Sequence, residues 1–545
     1  MSTTAARRLV ETLVANGVTH VFCVPGESYL AVLDAFVDFQ DRIRVISCRH
    51  EAGAANMAVA YAKLTRKPGI VFVTRGPGAT HASIGIHTAS QDSAPVVMFV
   101  GQVARGDRGR EGFQELDYGA VFGSMTKLAV EISDPKRMVE ITTRAFATAT
   151  QGRHGPVVVS LPEDMLSEDA GPRIPIAVQS APASLDPAAL DAIRARLEKA
   201  ERPLLILGGT GWSDDALSRL AEWAGECDLP VVLSWRRKDL LSNDHPCYVG
   251  DLRIRPSPGL NERIKSADLL LALGSRMGDI PTMGYQLLSV QDAAEKLVHI
   301  HPAAEELNHV WQASLSAVAN EANAAIALSG LKIGKKWTQW RVAARQDYEG
   351  SLEPVASVGA VNLSHIFTYL AKTLPADAIL CNGAGNYATW PNRFYRYRKP
   401  CTQLAPTSGA MGFGFPAGIA AKLVHPERDV IAIAGDGCFL MTSQELATAV
   451  QHDVQLVTLV IDNGSYGTIR MYQEREYPRR VMATQLRNPD FAAFARSFGA
   501  WGATVERTED FAAAFEQARH CGLPSLIHIR TSVEDILPGQ TLTKA

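Results

Sequence analysis

Two turns in the last third of the chain bear groups that could hold a metal ion. Gly435-Asp436-Gly437 closes an apolar run, Val430-Ile431-Ala432-Ile433-Ala434. Asp462-Asn463-Gly464 closes a second, from Leu456 to Ile461, and a helical stretch lies between them. Short apolar runs bounded by glycine turns read as buried strands. Each strand then delivers an oxygen-bearing side chain at its C-terminal end, the edge at which open parallel sheets bind ligands. One carboxylate and one amide oxygen suit a hard divalent cation that keeps water and phosphate oxygens, so Mg²⁺ fits better than zinc. The glycines let the backbone approach an anion closely. Asp-Gly is also a common turn pair, so the motif needs its strand–helix–strand setting to carry weight.

Three further segments have chemical content. Cys48-Arg49-His50-Glu51 opens an alanine-rich run that ends near Ala62. Alanine favours helix, and Glu51 falls in the first turn, where the helix dipole favours a carboxylate. That placement alone also describes a plain helix-start glutamate. Thr407-Ser408-Gly409-Ala410-Met411-Gly412-Phe413-Gly414 is dense in glycine beside large apolar residues. It reads as close backbone approach to something flat, or as a tight turn before a small-residue helix. Ala378-Ile379-Leu380-Cys381 runs into Gly383-x-Gly385-x-x-Ala388, a dinucleotide fingerprint. That fingerprint wants an acidic residue about 20 positions on for a ribose hydroxyl. No Asp or Glu occurs from Ala378 to Pro426. An acid-free glycine turn suits a diphosphate better. Arg393, Arg396, Arg398, Lys399 and Lys422 in the same stretch read as a solvated face.

Gly435-Asp436-Gly437, followed by 25 residues and then Asn463, resembles the metal-anchoring motif of thiamin diphosphate-dependent enzymes. The resemblance covers nearly the whole chain. It implies Mg²⁺ held by Asp436, Asn463 and the carbonyl of Ser465. It implies cofactor contacts from Gly385, Asn386, Tyr387, Gly437, Cys438 and Gly467. Met411 would wedge the cofactor into a bent shape, and the backbone of Gly409 would accept from its amino group. Glu51 matches the catalytic glutamate that pairs with the aminopyrimidine; a buried carboxyl shares a proton readily with a weak ring base. His50 is expected to be structural.

Gly76-Pro77-Gly78-Ala79-Thr80, Gln91-Asp92-Ser93-Ala94-Pro95, Phe113-Gln114-Glu115 and Gly155-Pro156-Val157 resemble the acetolactate synthase-like branch. Lys127 also has a counterpart there. This implies that Gln114 lines the reaction pocket; otherwise it is a surface amide. The implied reaction is decarboxylation of a 2-oxo acid, with the resulting enamine either protonated or ligated to a second carbonyl. The paired histidines of simple decarboxylases are absent near Gln114, which favours carboligation. A 2-hydroxyacyl-CoA lyase or a simple 2-oxo acid decarboxylase on the same scaffold is the alternative. In the family the first and third domains meet across a subunit boundary, so a homodimer or homotetramer is expected.

Several positions depart from that branch. His81 replaces an asparagine: a titratable ring there serves proton transfer or is a satisfied interior histidine. Tyr472 stands where the synthases carry a substrate-selecting tryptophan. His301 and Ala303 stand where aspartates grip an adenosine ribose, so FAD is not expected. Trp235-Arg236-Arg237-Lys238 reads as a solvated loop or as a contact to an acidic substrate or coenzyme A phosphate. The tail Leu537-Pro538-Gly539-Gln540-Thr541 is a candidate lid.

Strand–helix alternation organises the chain as α/β, with three doubly wound parallel sheets. The expected domains are a pyrimidine-binding one at 1–175, a central Rossmann-like one at 188–332 and a diphosphate- and Mg²⁺-binding one at 358–540. Expected strands are Thr19–Val24, Arg44–Ser47, Gly69–Thr74, Val96–Val100 and Val157–Leu161 in the first. Pro203–Leu207, Val231–Leu233, Leu269–Leu273 and Leu297–Ile300 are expected in the second. A hydrophobic content of 46% and a charged content of 20% describe an ordinary globular chain. A net charge of −3 suggests neither nucleic acid nor a membrane surface as partner. The N-terminus lacks a signal peptide's apolar core, and no apolar run is long enough to span a bilayer. Eight cysteines without C-x-x-C spacing read as buried thiols of a cytoplasmic protein.

Overall fold

A computed structural model describes residues 3–542; Met1 and Ser2 of the N-terminal segment lie outside it. Three six-stranded parallel sheets follow one another along the chain. The first holds β1 (His20–Cys23), β2 (Arg44–Ser47), β3 (Gly69–Val73), β4 (Val96–Gln102), β5 (Leu128–Glu131) and β6 (Pro156–Pro162). Its order is β2-β1-β3-β4-β6-β5. The second holds β7 (Pro203–Leu207), β8 (Val231–Leu233), β9 (Tyr248–Asp251), β10 (Leu269–Leu273), β11 (Leu297–His301) and β12 (Leu315–Val318), ordered β12-β11-β10-β7-β8-β9. The third holds β13 (Ile379–Asn382), β14 (Gln403–Leu404), β15 (Val430–Gly435), β16 (Val457–Asp462), β17 (Trp501–Val505) and β18 (Ser525–Arg530). Its order, β14-β13-β15-β16-β18-β17, repeats that of the first sheet. The middle sheet instead has the order of dinucleotide-binding folds.

Helices cover both faces of each sheet, so the inner strands read as unbroken apolar runs. Every residue of β4, β6 and β15 is buried. One core cluster crosses from the first unit to the third. In it the helix Glu51–Thr65 packs on the helix Gly414–Val424 through alanines at 54, 55, 58, 417, 420 and 421, which let the two backbones approach closely.

The basic run at 235–238 is not a solvated loop. Arg236 is 4% exposed and Lys238 is wholly buried. Lys238 Nζ donates to the carbonyls of Asn392 (2.6 Å) and Tyr395 (2.8 Å), so the second unit plugs an ammonium into the third. The expected solvated face at 393–399 is partly an interface as well: Arg396 and Arg398 both pair with Asp244 of the second unit.

A buried ion pair of the first unit, Lys63–Asp92, whose side chains are 1% and 0% exposed, faces the third unit. Lys63 also donates to the carbonyl of Ala405, and Asp92 accepts from the backbone and hydroxyl of Thr407. Breaking such a pair leaves an uncompensated charge in a dry site. Asp92→Ala is expected to lower unfolding stability by about 3–5 kcal/mol, whereas Lys63→Met/Asp92→Leu loses much less. Denaturant unfolding of the two variants beside the parent measures both.

Candidate active site

In the third sheet the connections turn in opposite directions on either side of β13 and β15, which opens a crevice at the carboxyl ends of those strands. A cavity of about 230 Å³ lies there. After β13, Gly385 adopts φ 142°, which only glycine holds without strain, and Asn386 and Tyr387 follow in a short turn. After β15, Asp436, Gly437 and Cys438 open a five-residue helix. After β16 come Asn463, Ser465 and then Gly467, the first residue of a helix that ends at Glu476. Gly409 and Met411 enter from the glycine-rich loop. All eleven of these residues, from four separate segments, line the one cavity.

The segments are tied to one another. The Cys438 thiol accepts from the Tyr387 hydroxyl and the Gly412 amide, each at 3.2 Å. The Thr468 hydroxyl accepts from the Asn386 amide (3.0 Å) and donates to its side-chain oxygen (2.9 Å). The Thr88 and Ser408 hydroxyls lie 3.1 Å apart, so the first unit helps pin the loop that bears Gly409. Asp535 and Ile536 of the C-terminal tail also line the cavity, and the tail forms a small hairpin, Asp535–Leu537 with Gln540–Thr541. Burial pushes the Asp436 carboxyl up to about 6, against hydrogen bonds from Asn488 and the Gly437 amide. Such a group gains from a cation. Its oxygen and that of Asn463 form the donor set a hard divalent ion takes, and the glycines around it leave room for a phosphate.

A second cluster sits at the N-terminus of the helix Glu51–Thr65. His50 caps that helix, its Nδ1 accepting from the Ala52 amide at 3.0 Å, as the structural reading of His50 expects. Glu51 is 8% exposed. His81 Nδ1 lies 2.9 Å from Glu51 Oε2, and its ring stacks on His50 at 4.5 Å. Glu445 from the third unit, fully buried, accepts from the His50 amide at 2.9 Å. Gln114 adopts φ 64°; its carbonyl accepts from the Gly76 amide at 3.0 Å, while its side-chain Oε1 is buried without a partner. Glu51, His81 and Gln114 thus gather around the start of the helix Gly76–Asp92, but none of them lines the Asp436 cavity of the same chain.

A third cavity, of about 500 Å³, opens at the switch between β7 and β10 and reaches Ser408 and Gly409; Trp235, Arg237 and Arg276 line it. β11 ends in His299 and His301, both buried, and burial holds His301 down to about 4. The Ala303 amide donates to His301 Nδ1 at 3.2 Å, so that strand end presents rings rather than carboxylates.

Sequence reasoning passed over Asp462, Asn488, His528 and Glu445. Only Asp462 left a readable signal, a carboxylate at a strand end beside Asn463.

Glycine turns that cradle a diphosphate, oxygen donors for a divalent ion and a helix-start glutamate define a thiamin diphosphate-dependent enzyme. Family comparison agrees over all three units. Residues 3–121 match the N-terminal TPP binding domain of thiamine pyrophosphate enzymes, 190–328 the central domain and 383–529 the C-terminal TPP binding domain. The chain belongs to the thiamine pyrophosphate enzyme family. It is 30% identical to an acetolactate synthase of Bacillus subtilis, covering 97% of this chain and 93% of that protein. It is 29% identical to the large subunit of acetolactate synthase isozyme 2 of Escherichia coli (98% and 96%). It is equally 29% identical to a sulfoacetaldehyde acetyltransferase of Castellaniella defragrans (94% and 90%). Among the described residues no helix is long and apolar enough to cross a membrane.

The helices carrying Glu51 and His81 touch at Gly85, where an added Cβ would stand 2.4 Å from the Ala55 Cβ and 2.9 Å from its carbonyl carbon. Gly85→Ala is expected to cost about 1–3 kcal/mol by forcing the two helices apart. Gly106→Ala, whose Cβ meets nothing within 4 Å, is expected to change little. Thermal unfolding of the two variants side by side measures the difference.

Proposed function

We infer that the protein is a Mg²⁺-dependent carboligase that decarboxylates a 2-oxo acid and joins the remaining fragment to a second carbonyl compound. The observation that supports this best is the convergence of four segments on one cleft bearing Asp436 and Asn463. In this reading the side chains of Asp436 and Asn463 and the carbonyl of Ser465 hold Mg²⁺. Gly385, Asn386, Tyr387, Gly437, Cys438 and Gly467 hold the diphosphate, and Gly409 and Met411 shape the rings. Thiamin diphosphate, when bound, supplies the electron sink for loss of CO₂.

The chain's own residues supply the rest. Glu51 holds and moves a proton at Oε1 or Oε2, and His81 Nδ1 lies beside Oε2. The Gln114 amide orients a carbonyl oxygen, and its unpartnered Oε1 fits a pocket that expects a polar ligand. Glu51 does not line the Asp436 cavity of its own chain, which supports a homodimer or a homotetramer in which two copies complete each site. Eight unpaired cysteines, six of them buried, support a reducing, cytoplasmic setting.

A second reading rests on the cavity lined by Trp235, Arg237 and Arg276, which opens on Gly409. It has volume and positive charge for a phosphorylated thioester, as a 2-hydroxyacyl-CoA lyase requires.

Glu51→Gln is expected to lower kcat by about 10²- to 10⁴-fold while thiamin diphosphate still binds. Asp436→Ala is expected to abolish cofactor binding measured by calorimetry. Full turnover in the first variant, or parental affinity in the second, removes these roles.

Product analysis separates the reactions. A panel of 2-oxo acids, with pyruvate and sulfoacetaldehyde among the acceptors, is expected to give CO₂ and a ligated product. Free aldehyde as the sole product points to simple decarboxylation, and cleavage of a hydroxyacyl thioester points to the lyase.

A further inference from the structure

Asp436 is not held by its own strand alone. Residues 484–488 lie across the turn that carries Asn463. Leu486 donates its amide to the Gly464 carbonyl (2.8 Å), Tyr466 donates to the Thr484 carbonyl (2.8 Å), and the Ser465 hydroxyl donates to that carbonyl as well (2.9 Å). This strap delivers Asn488 to Asp436, a residue of the cavity wall. A single atom, Asn488 Nδ2, then donates to Asp436 Oδ2 at 2.7 Å and to Asp462 Oδ1 at 2.8 Å. A primary amide nitrogen has two hydrogens, so both are committed, one to each carboxylate.

Asp462 is fixed in turn. Its Oδ1 also accepts from the Gly464 amide at 2.9 Å, and its Oδ2 lies 2.8 Å from His528 Nε2. His528 is 1% exposed, and Phe491 stands edge-on to its ring at 5.1 Å. The Nδ1 on its far side is buried without a partner, so the only bond orienting the ring is the one to Asp462. A rigid series results: His528 anchors Asp462, Asp462 anchors the Asn488 amide, and the amide takes one oxygen of Asp436. Asp436, which lines the cavity, is thereby held through Oδ2.

We propose that Asn488 is a positioning residue for the divalent cation, fixing through the Asp462–His528 pair which oxygen of Asp436 faces the ion. The inference rests on the reading of Asp436 as a metal ligand. Partners of a ligating side chain set its orientation, and their loss typically costs about 10–100-fold in metal affinity. Mg²⁺ demands near-ideal octahedral geometry and Ca²⁺ tolerates irregular geometry, so a loosened Asp436 penalises Mg²⁺ more.

The test is calorimetric titration of the full-length protein with MgCl₂ and, separately, CaCl₂, both at saturating thiamin diphosphate. Asn488→Ala is expected to raise the Mg²⁺ Kd by about 10–100-fold and the Ca²⁺ Kd by a clearly smaller factor. Thermal unfolding of the metal-free variant is expected to match the parent. An unchanged Mg²⁺ Kd, or equal losses for the two ions, overturns the proposal. If Asn488→Ala gives no cooperative unfolding, Asn488→Gln serves instead: one extra methylene puts the amide out of register with both oxygens, and the same two outcomes apply. Asp436→Ala, run in parallel, separates the two levels of inference. Metal binding that survives in it removes the ligand reading; metal binding lost there but kept in the Asn488 variants removes only the positioning role.

Discussion

A carboxylate at the mouth of a dry crevice is unfavourable until a positive charge arrives, and the cofactor-binding half of this protein is organised around that constraint. Asp436 is 4% exposed and sits where β15 ends, with Asp462 close by at the end of β16. The two are treated differently. For Asp462, burial would raise the pKa, yet hydrogen bonds from His528, the Gly464 amide and Asn488 outweigh it and hold the carboxyl well below its usual range. Asp436 has fewer donors and is pushed up. Carboxyls whose environments drive their pKa values apart mark functional sites. Here the hydrogen bonds from His528, Gly464 and Asn488 tie Asp462 into the scaffold, which accords with the proposal that Asp436 takes the cation.

The same strand order in the first and third sheets has a consequence for where the chemistry falls. β1, β2 and β3 correspond by position to β13, β14 and β15. The helices after β2 and β14, Glu51–Thr65 and Gly414–Val424, are therefore counterparts, and they pack on each other. The segments after β3 and β15 are counterparts too: one carries His81, the other Asp436. Two similar sheets thus contribute different groups from matching places. In the proposed function the first sheet supplies a proton-handling carboxylate and the third an ion-holding one. The middle sheet, with its different order, contributes Lys238 and Arg236 to the junctions and a separate large cavity.

Much of this was legible in the sequence because buried parallel strands are apolar on both faces. β2, β7, β8 and β10 fall where their runs place them, and the cofactor-cleft residues stand on turns that glycine announces. The misses have physical causes. β5 and β12 are edge strands with largely half-buried residues, and β14 is two residues long, so periodicity had little to act on. The 235–238 run looked solvated because basic runs usually are. Main-chain carbonyls of the third unit satisfy Lys238, and a sequence does not show where carbonyls point. Asn488 stands 52 positions from Asp436, in a stretch without pattern, and only the strap across the Asn463 turn brings it to the site.

The packing of the Glu51 helix bears on why, in the proposed function, one chain does not make a complete site. Its alanine-rich length packs on the Gly414–Val424 and Gly76–Asp92 helices of the same chain, and the amides of Arg49 and His50 just before it are held by Glu445. Those contacts fix the helix rigidly, with Glu51 beside His81 at the start of the Gly76–Asp92 helix rather than in the Asp436 crevice. Bringing Glu51 to its own cavity would mean breaking a core of small residues and exposing the fully buried Glu445 carboxylate, a cost of several kcal/mol with no compensating contact. A second copy meets the same need with both domains left intact. The intrachain packing is thus the physical reason that the proposed reaction calls for an oligomer.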